Sequence, residues 1–132
     1  MIFIDANVFL ARDNVGDVFH QKALAILANI ENNHYGPALT SDYVFNEAIG
    51  VTCRKKNKVT AIELGQKILM STPLFNIDNH IFEKAWDYFA ECKLNLSLVD
   101  CTNLVIMETF KIEFLATFDK EFKKIKEIKV VD

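Results

Sequence analysis

Proline and glycine are scarce in this sequence, with two prolines and four glycines among 132 residues. No proline- or serine-rich linker and no internal repeat divides the chain, which predicts a single domain over residues 1–132. The glycines, Gly16, Gly36, Gly50 and Gly65, do not form a phosphate-binding loop. Nucleotide binding by a P-loop or by a dinucleotide-binding fold is therefore unsupported.

Cysteine and histidine are also few and scattered. The three cysteines, Cys53, Cys92 and Cys101, are odd in number and have no C-x-x-C spacing, which argues against a disulfide framework and a zinc site. The three histidines form no H-E-x-x-H pattern, so a histidine metal site or a catalytic triad has little support. We interpret the cysteines as small buried thiols.

Long apolar runs are absent as well. The longest, ALAILA at residues 23–28, falls far short of the ~20 residues that a membrane-spanning helix needs. The first apolar segment begins at residue 2, so we expect no secretory leader and predict a cytoplasmic protein without a membrane partner. The net charge of −3 counts mildly against nucleic-acid binding, unless the acidic residues surround a cation that neutralises them.

Short apolar runs alternate with amphipathic segments along the chain. Residues 2–4 are apolar throughout, as in a strand that is buried on both faces of a parallel sheet. Residues 17–33 carry apolar side chains at helical spacing. The same patterns predict strands at 38–40, 74–77, 114–118 and 127–131. They predict helices at 42–56 and 98–110, a helix that begins with a capping box at 60–63, and a helix that follows Asp78. This order predicts an α/β fold, a three-layer α/β/α sandwich with a mostly parallel central sheet.

Three aromatic residues fall on one face of the helix after Asp78. These residues, Phe82, Trp86 and Phe89, suit base stacking in a nucleic-acid-binding protein. Helical spacing favours packing in the core, however, and we predict that the three rings are buried.

Two acidic residues directly follow predicted strands. Asp5 comes after the strand at 2–4, and Asp119 comes after the strand at 114–118. Open α/β sheets place their sites in the crevice at the carboxyl ends of their strands. Both carboxylates are therefore expected at the functional edge of the sheet.

Two further acids lie near the starts of predicted helices. Asp100 follows Ser97 by three residues at the start of an apolar helix, and Glu47 lies about two turns into the helix at 42–56. Each acid has a local explanation, since Asp5 and Asp119 suit helix caps, Ser97 and Asp100 fit a capping box, and Glu47 suits an exposed helix position. These structural interpretations stay open for each residue taken alone.

The four acids together favour a cation site. Clustered carboxylates repel each other and raise their own pKa values unless a cation lies between them. Oxygen ligands with open positions suit Mg²⁺ or Mn²⁺, which keep bound waters and contact substrate phosphates. Such a site performs metal-assisted hydrolysis of phosphodiesters.

The order of these motifs resembles the PIN domain, a family that includes the VapC-type toxins of bacterial and archaeal toxin–antitoxin pairs. The resemblance spans the whole chain. The matching motifs are Asp5-Ala-Asn7, Glu47, Ser97-Leu-Val-Asp100 and Thr117-Phe-Asp119 with Phe122. Two positions depart from the common pattern: Ala6 replaces a threonine, and Cys101 replaces an alanine.

The resemblance implies an endoribonuclease that depends on Mg²⁺ or Mn²⁺ and releases a 5′-phosphate and a 3′-hydroxyl. By motif, the acidic metal cluster is Asp5, Glu47, Asp100 and Asp119, supported by Asn7, Ser97 and Thr117. The resemblance further implies a homodimer, an RNA substrate and a cognate antitoxin that covers the acidic site. An RNA-processing nuclease without a toxin role is an alternative.

Basic residues follow several of these motifs. Arg12, Arg54, Lys55 and Lys120 are candidates for contacting an RNA backbone, although a solvated surface is the simpler explanation for any individual lysine. A catalytically silent PIN-fold module that binds RNA or supports assembly is the rival that is not an enzyme. Among other enzymes, a haloacid-dehalogenase-like phosphatase needs a second acid where Asn7 stands, and a phospho-receiver domain fits no better.

Overall fold

Five short strands form one all-parallel sheet in the computed structural model, which describes residues 1–132. Their order across the sheet is β3-β2-β1-β4-β5, so β1 and β4 lie at its centre. The strands are β1 Ile2–Ile4, β2 Ala38–Ser41, β3 Leu74–Phe75, β4 Phe114–Ala116 and β5 Lys129–Val131. Strand β1 is fully buried, because helices cover both faces of a parallel sheet, and this explains why its residues are all apolar.

Six α-helices connect these strands as crossovers, as parallel pairing requires. Helix α1 packs on α2 and α3, α3 packs on α4, and α5 packs on α6. The helices are α1 Ala6–Arg12, α2 His20–Glu31, α3 Asp42–Lys55, α4 Lys58–Ser71, α5 Asn79–Glu91 and α6 Leu98–Phe110, and a 3₁₀ helix follows at Lys120–Lys124. The predicted α/β/α sandwich is confirmed, and its sheet is wholly rather than mostly parallel.

The structure differs from the sequence prediction at several element boundaries. Helix α1 was not predicted, because its seven residues span only two turns and are too few to show a helical period. The capping box predicted at 60–63 is wrong, since α4 begins earlier and the side chain of Asn57 accepts the Thr60 N–H at 2.8 Å. The strand predicted at 74–77 is only Leu74–Phe75, because it pairs at the edge of the sheet.

The aromatic stripe of α5 is not in the core. Phe82, Trp86 and Phe89 are 39%, 52% and 39% exposed, so the prediction that they are buried is wrong. The buried face of α5 is formed instead by Ile81 and Ala85. Helix α5 packs against α6, and the three large rings lie outside this contact.

The central strands bring two chain segments to the same edge of the sheet. Ile4 pairs with Ala116 in the β1–β4 register, so Asp5 and Thr117 follow side by side. The strand order runs outward from β1 through β2 on one side and from β4 to β5 on the other. The β1–β4 boundary is therefore a topological switch point, where α/β sheets form their binding crevices.

No helix is both long and apolar enough to cross a membrane.

Candidate active site

Asp5 is the centre of a buried hydrogen-bond network at this edge. It is 4% exposed, and it caps α1. Its Oδ1 accepts the Ala6 N–H at 2.8 Å and lies 3.4 Å from Asn103 Nδ2. Its Oδ2 accepts from Asn7 Nδ2 at 2.9 Å and from the Thr117 hydroxyl at 2.7 Å. Four donors therefore converge on one carboxylate, which fixes its orientation.

Asn7 and Thr117 join the ends of β1 and β4. The Thr117 hydroxyl also accepts from Asn7 Nδ2 at 3.0 Å and from the Asp119 N–H at 3.1 Å. The side-chain oxygen of Asn7 accepts the Phe118 N–H at 3.0 Å. Asn7, Thr117 and Asp5 form a closed network, so the structure places two of the three sequence-predicted supports against this acid.

Burial raises the pKa of Asp5 from 3.8 to about 7, in spite of the opposing hydrogen bond from Thr117. The negative charges of Asp100 and Glu47 raise it further. Near neutral pH the site therefore holds a carboxyl group that exists in both protonation states. A cation that binds there would favour the charged form of Asp5.

Asp100 is half-buried at the start of α6. It forms a true capping box, in which the Ser97 N–H donates to Asp100 Oδ2 at 2.7 Å and the Asp100 N–H donates to Ser97 Oγ at 3.1 Å. Desolvation raises the pKa of Asp100 against the lowering effect of these bonds, and the charge of Asp119 raises it further. Asp100 can therefore cap α6 and also bind a ligand, because its Oδ1 accepts no hydrogen bond within the protein.

Glu47 and Asp119 complete the acidic group. Glu47 lies at the surface of α3, where partial desolvation and the charge of Asp100 raise its pKa. Asp119 caps the 3₁₀ helix through its Oδ1, which accepts the Glu121 N–H at 2.8 Å. The second oxygen of Asp119 accepts no hydrogen bond. The charge effects on these pKa values connect Asp5 with Asp100 and Glu47, Glu47 with Asp100, and Asp100 with Asp119, so the four predicted acids form one electrostatically coupled acidic site.

The donor set fits a hard divalent cation that keeps part of its water shell. No three of the His, Cys, Asp and Glu side chains lie close enough together to hold an ion by themselves. Mg²⁺ does not need such a cage, because it is usually held by one or two carboxylates, water and substrate phosphate. The buried Oδ1 of Asn103 has no hydrogen-bond partner, and it leaves a vacant acceptor position beside Asp5.

Asn103 is a site residue that the sequence prediction missed. It is fully buried in α6, one turn after Asp100. Residues three apart lie on the same side of a helix, so Asn103 lies on the same side of α6 as Asp100. A polar residue inside the apolar segment LVDCTNLVIMETF was the available signal.

The predicted basic residues have different environments. Arg12 is 16% exposed at its side chain, and its Nε contacts Asp13 Oδ1 at 2.6 Å, so its charge is neutralised within the protein. The guanidinium also lies over the ring of Phe9. In contrast, Arg54, Lys55 and Lys120 are exposed. Only these three are placed at the surface, where a nucleic-acid backbone has access.

Comparison with known families identifies one match. The sequence model of the PIN domain matches residues 2–128, which is nearly the whole chain. A comparison with curated protein sequences gave no match.

Several solved structures share this fold over their full lengths. The Mycobacterium tuberculosis toxin VapC20, described as cleaving the sarcin–ricin loop, is 22% identical with a TM-score of 0.87 and covers 100% of both chains. Rickettsia felis VapBC2, solved bound to a DNA fragment from its promoter, is 16% identical with a TM-score of 0.71, covering 98% of this chain and 97% of that one. A toxin–antitoxin complex from Klebsiella pneumoniae is 19% identical with a TM-score of 0.69, covering 98% and 96%.

Proposed function

This chain belongs to the PIN domain family, and on that premise we propose that it is a divalent-metal-dependent endoribonuclease and the toxin of a toxin–antitoxin pair. The observation that carries the proposal is the environment of Asp5. A buried carboxylate with a pKa of about 7, flanked by Asp100 and Glu47, costs stability unless a cation compensates it. A protein that used this fold only as a scaffold would have no need of that arrangement.

We propose that Asp5, Glu47, Asp100 and Asp119 would hold Mg²⁺ or Mn²⁺, one or two of them directly and the others through waters on the ion. The last three have carboxylate oxygens that are free of hydrogen bonds within the protein, so they are available to an ion or to its waters. Asp5 is constrained by its four donors, and the distance from the Asn103 amide, 3.4 Å, is the longest of the four.

Hydrolysis of a phosphodiester needs a water nucleophile and stabilisation of negative charge on the phosphate. A bound divalent ion would supply both, by lowering the pKa of a coordinated water and by neutralising developing charge. Asn7 and Thr117 keep the Asp5 carboxylate in one orientation, and Ser97 does the same for Asp100. Such preorganisation removes the cost of reorienting these groups during the reaction.

The first prediction concerns metal dependence. Purified protein should cleave single-stranded RNA in the presence of Mg²⁺ or Mn²⁺ and leave 5′-phosphate and 3′-hydroxyl ends. Chelation with EDTA should remove the activity, and added Mg²⁺ should restore it. Denaturing gels with end-labelled RNA measure both the cleavage and the chemistry of the ends.

The control for a contaminating nuclease is the Asp100→Asn variant, purified in parallel. Cleavage that persists in EDTA or in this variant would contradict the proposal. RNA binding that is unchanged by the substitution and is never followed by cleavage would favour the silent-module alternative. Toxicity in cells, relieved by a co-expressed antitoxin, separates the toxin role from RNA processing.

The partners are part of the same proposal. Similar structures include the VapBC2 assembly and a toxin–antitoxin complex, which supports a protein antitoxin as the partner here. We also propose a homodimer and a cytoplasmic location, as the family resemblance implies. Size-exclusion chromatography with light scattering measures the oligomeric state directly.

The second prediction concerns Asn103. Replacement by leucine removes both the donor to Asp5 and the unpartnered Oδ1, while it keeps the same number of side-chain heavy atoms and the branch at Cγ. We expect cleavage and apparent Mg²⁺ affinity to fall by about 10–100-fold, the usual effect of losing a group that orients a metal ligand. Thermal stabilisation by Mg²⁺ measures that affinity independently of cleavage.

The matched control for Asn103 is Thr109→Val, which lies on the same helix and bonds only to the carbonyl of Val105. This variant should bind Mg²⁺ as the parent protein does. Equal losses in both variants would mean that α6 had been generally weakened and that Asn103 has no specific role at the site.

A further inference from the structure

A cavity of about 330 Å³ adjoins the acidic site. It shares two residues with that site: Asp119, which is proposed to hold the ion, and Asn7, which orients Asp5. The rest of its wall comes from α1, α3, α4 and the segment 13–19. Its volume lies at the lower end of the roughly 300–1,000 Å³ that small-ligand pockets occupy.

One wall of the cavity is aromatic. The rings of Phe19 and Phe118 stack with their centroids 4.5 Å apart and their planes 7° from parallel. Both residues line the cavity and are only partly buried. The Phe118 N–H is bonded to Asn7, so this wall is rigidly connected to the Asp5 network. A planar ligand can stack here in a fixed position relative to the site.

The polar edge of the cavity is acidic. Asp13 is occupied, because Arg12 and Lys67 contact its two carboxylate oxygens at 2.6 and 2.9 Å. Asp17 has no cationic partner, and only its Oδ1 is used, as acceptor of the Phe19 N–H at 2.8 Å. Asp119 belongs to the acidic site, so Asp17 is the carboxylate outside that site that is free to accept hydrogen bonds from a ligand.

Two lysines add positive charge to the same cavity. Lys55 and Lys56 line it from the end of α3, and both are exposed. A flat wall, a free carboxylate and flanking ammonium groups together match a nucleotide, whose base has flat faces and edge donors and whose phosphates are anionic.

We propose that this cavity is a nucleobase subsite for the nucleotide next to the scissile phosphate, and that it selects guanine. The proposal rests on the proposed ribonuclease function for the identity of the substrate. Guanine presents two adjacent N–H donors, N1–H and N2–H, to the Asp17 carboxylate, while its ring stacks on the Phe19–Phe118 wall. Uracil presents a single N–H donor, so it forms only half of this contact.

The test is a titration of the full-length Asp5→Asn protein, in EDTA, with each of the four ribonucleoside 5′-monophosphates. Amide chemical shifts in two-dimensional NMR spectra locate the binding and report the fold of each variant. We expect GMP to shift the amides of residues 17–19 and 118 and to bind about tenfold more tightly than UMP, as one good paired hydrogen bond provides. Asp17→Asn and Phe19→Leu should each reduce this preference severalfold or more.

Asp87→Asn, on the exposed face of α5, is the matched control and should leave the GMP preference unchanged. Equal binding of all four nucleotides, a preference for UMP, or shifts confined to another surface would overturn the subsite. Selective GMP binding by a protein that never cleaves RNA would support the subsite proposal and contradict the nuclease proposal. Metal-dependent cleavage by a protein whose cavity binds no nucleotide would support the nuclease proposal and contradict the subsite proposal.

Discussion

Replacing Asp5 with asparagine is expected to reduce metal-dependent RNA cleavage by about 10²–10³-fold, the scale on which removing one electrostatic group slows an enzyme. The substitution keeps the shape of the side chain but removes the negative charge. It also removes one acceptor from the network, because an amide presents a single oxygen where the carboxylate presents two to Ala6, Asn7 and Thr117. Initial cleavage rates at saturating Mg²⁺ measure the effect.

The interpretation of this variant depends on its folding. The buried charge is costly in the parent protein, so Asp5→Asn should fold and should unfold at a temperature no lower than the parent at pH above about 7. Asp87→Asn makes the same chemical change on an exposed helix and should retain full activity. An Asp5→Asn protein that is folded and fully active would remove Asp5 from the proposed site.

The positions of Asp5 and Asp119 show what a sequence can predict here. Asp5 directly follows β1 and Asp119 lies three residues beyond the end of β4, and parallel strands in a sandwich leave their carboxyl ends on one edge. The pairing of Ile4 with Ala116 then brings those ends together across more than a hundred residues of chain. Strand pattern and fold class are sufficient for that step, because neither depends on the details of side-chain packing.

Other features depend on packing that no local pattern encodes. Asn103 reads as one polar residue in an apolar helix, and only the fold places it next to Asp5, 98 positions away. Helical periodicity places Ala85 and Trp86 near one another on α5, but it does not determine which of the two is buried. The choice follows from the close approach of α5 to α6, which is a tertiary property.

The stability of the metal-free protein is expected to fall as the pH rises from about 4 to about 7, because folding raises the pKa of Asp5 from 3.8 to about 7. In this window the folded protein binds more protons than the unfolded chain, so each rise in pH favours unfolding. The raised pKa values of Glu47 and Asp100 act in the same direction. A shift of this size for Asp5 corresponds to a loss on the order of 4 kcal/mol, or of order 10 °C in the unfolding temperature.

Divalent ions should reverse this loss, and they should do so most strongly where Asp5 is ionised. Ligand binding to the folded state alone adds RT ln(1 + [L]/Kd) to the free energy of unfolding, and protons compete with the ion for the same carboxylates. Thermal unfolding in EDTA and in Mg²⁺, from about pH 4 to about pH 8, measures both effects. The Mg²⁺-induced rise in unfolding temperature should therefore increase with pH in the parent protein.

The Asp5→Asn variant isolates the contribution of this one carboxyl group, because every other titrating group stays in place. Asp13, whose pKa is lowered by its contacts with Lys67 and Arg12 against the effect of burial, changes stability only at lower pH and in the opposite direction. The difference in stability between parent and variant should therefore change across about pH 4–7 and be constant above it. A difference that does not vary with pH would mean that Asp5 is ionised throughout, and that its donors from Thr117 and Asn7 outweigh its burial.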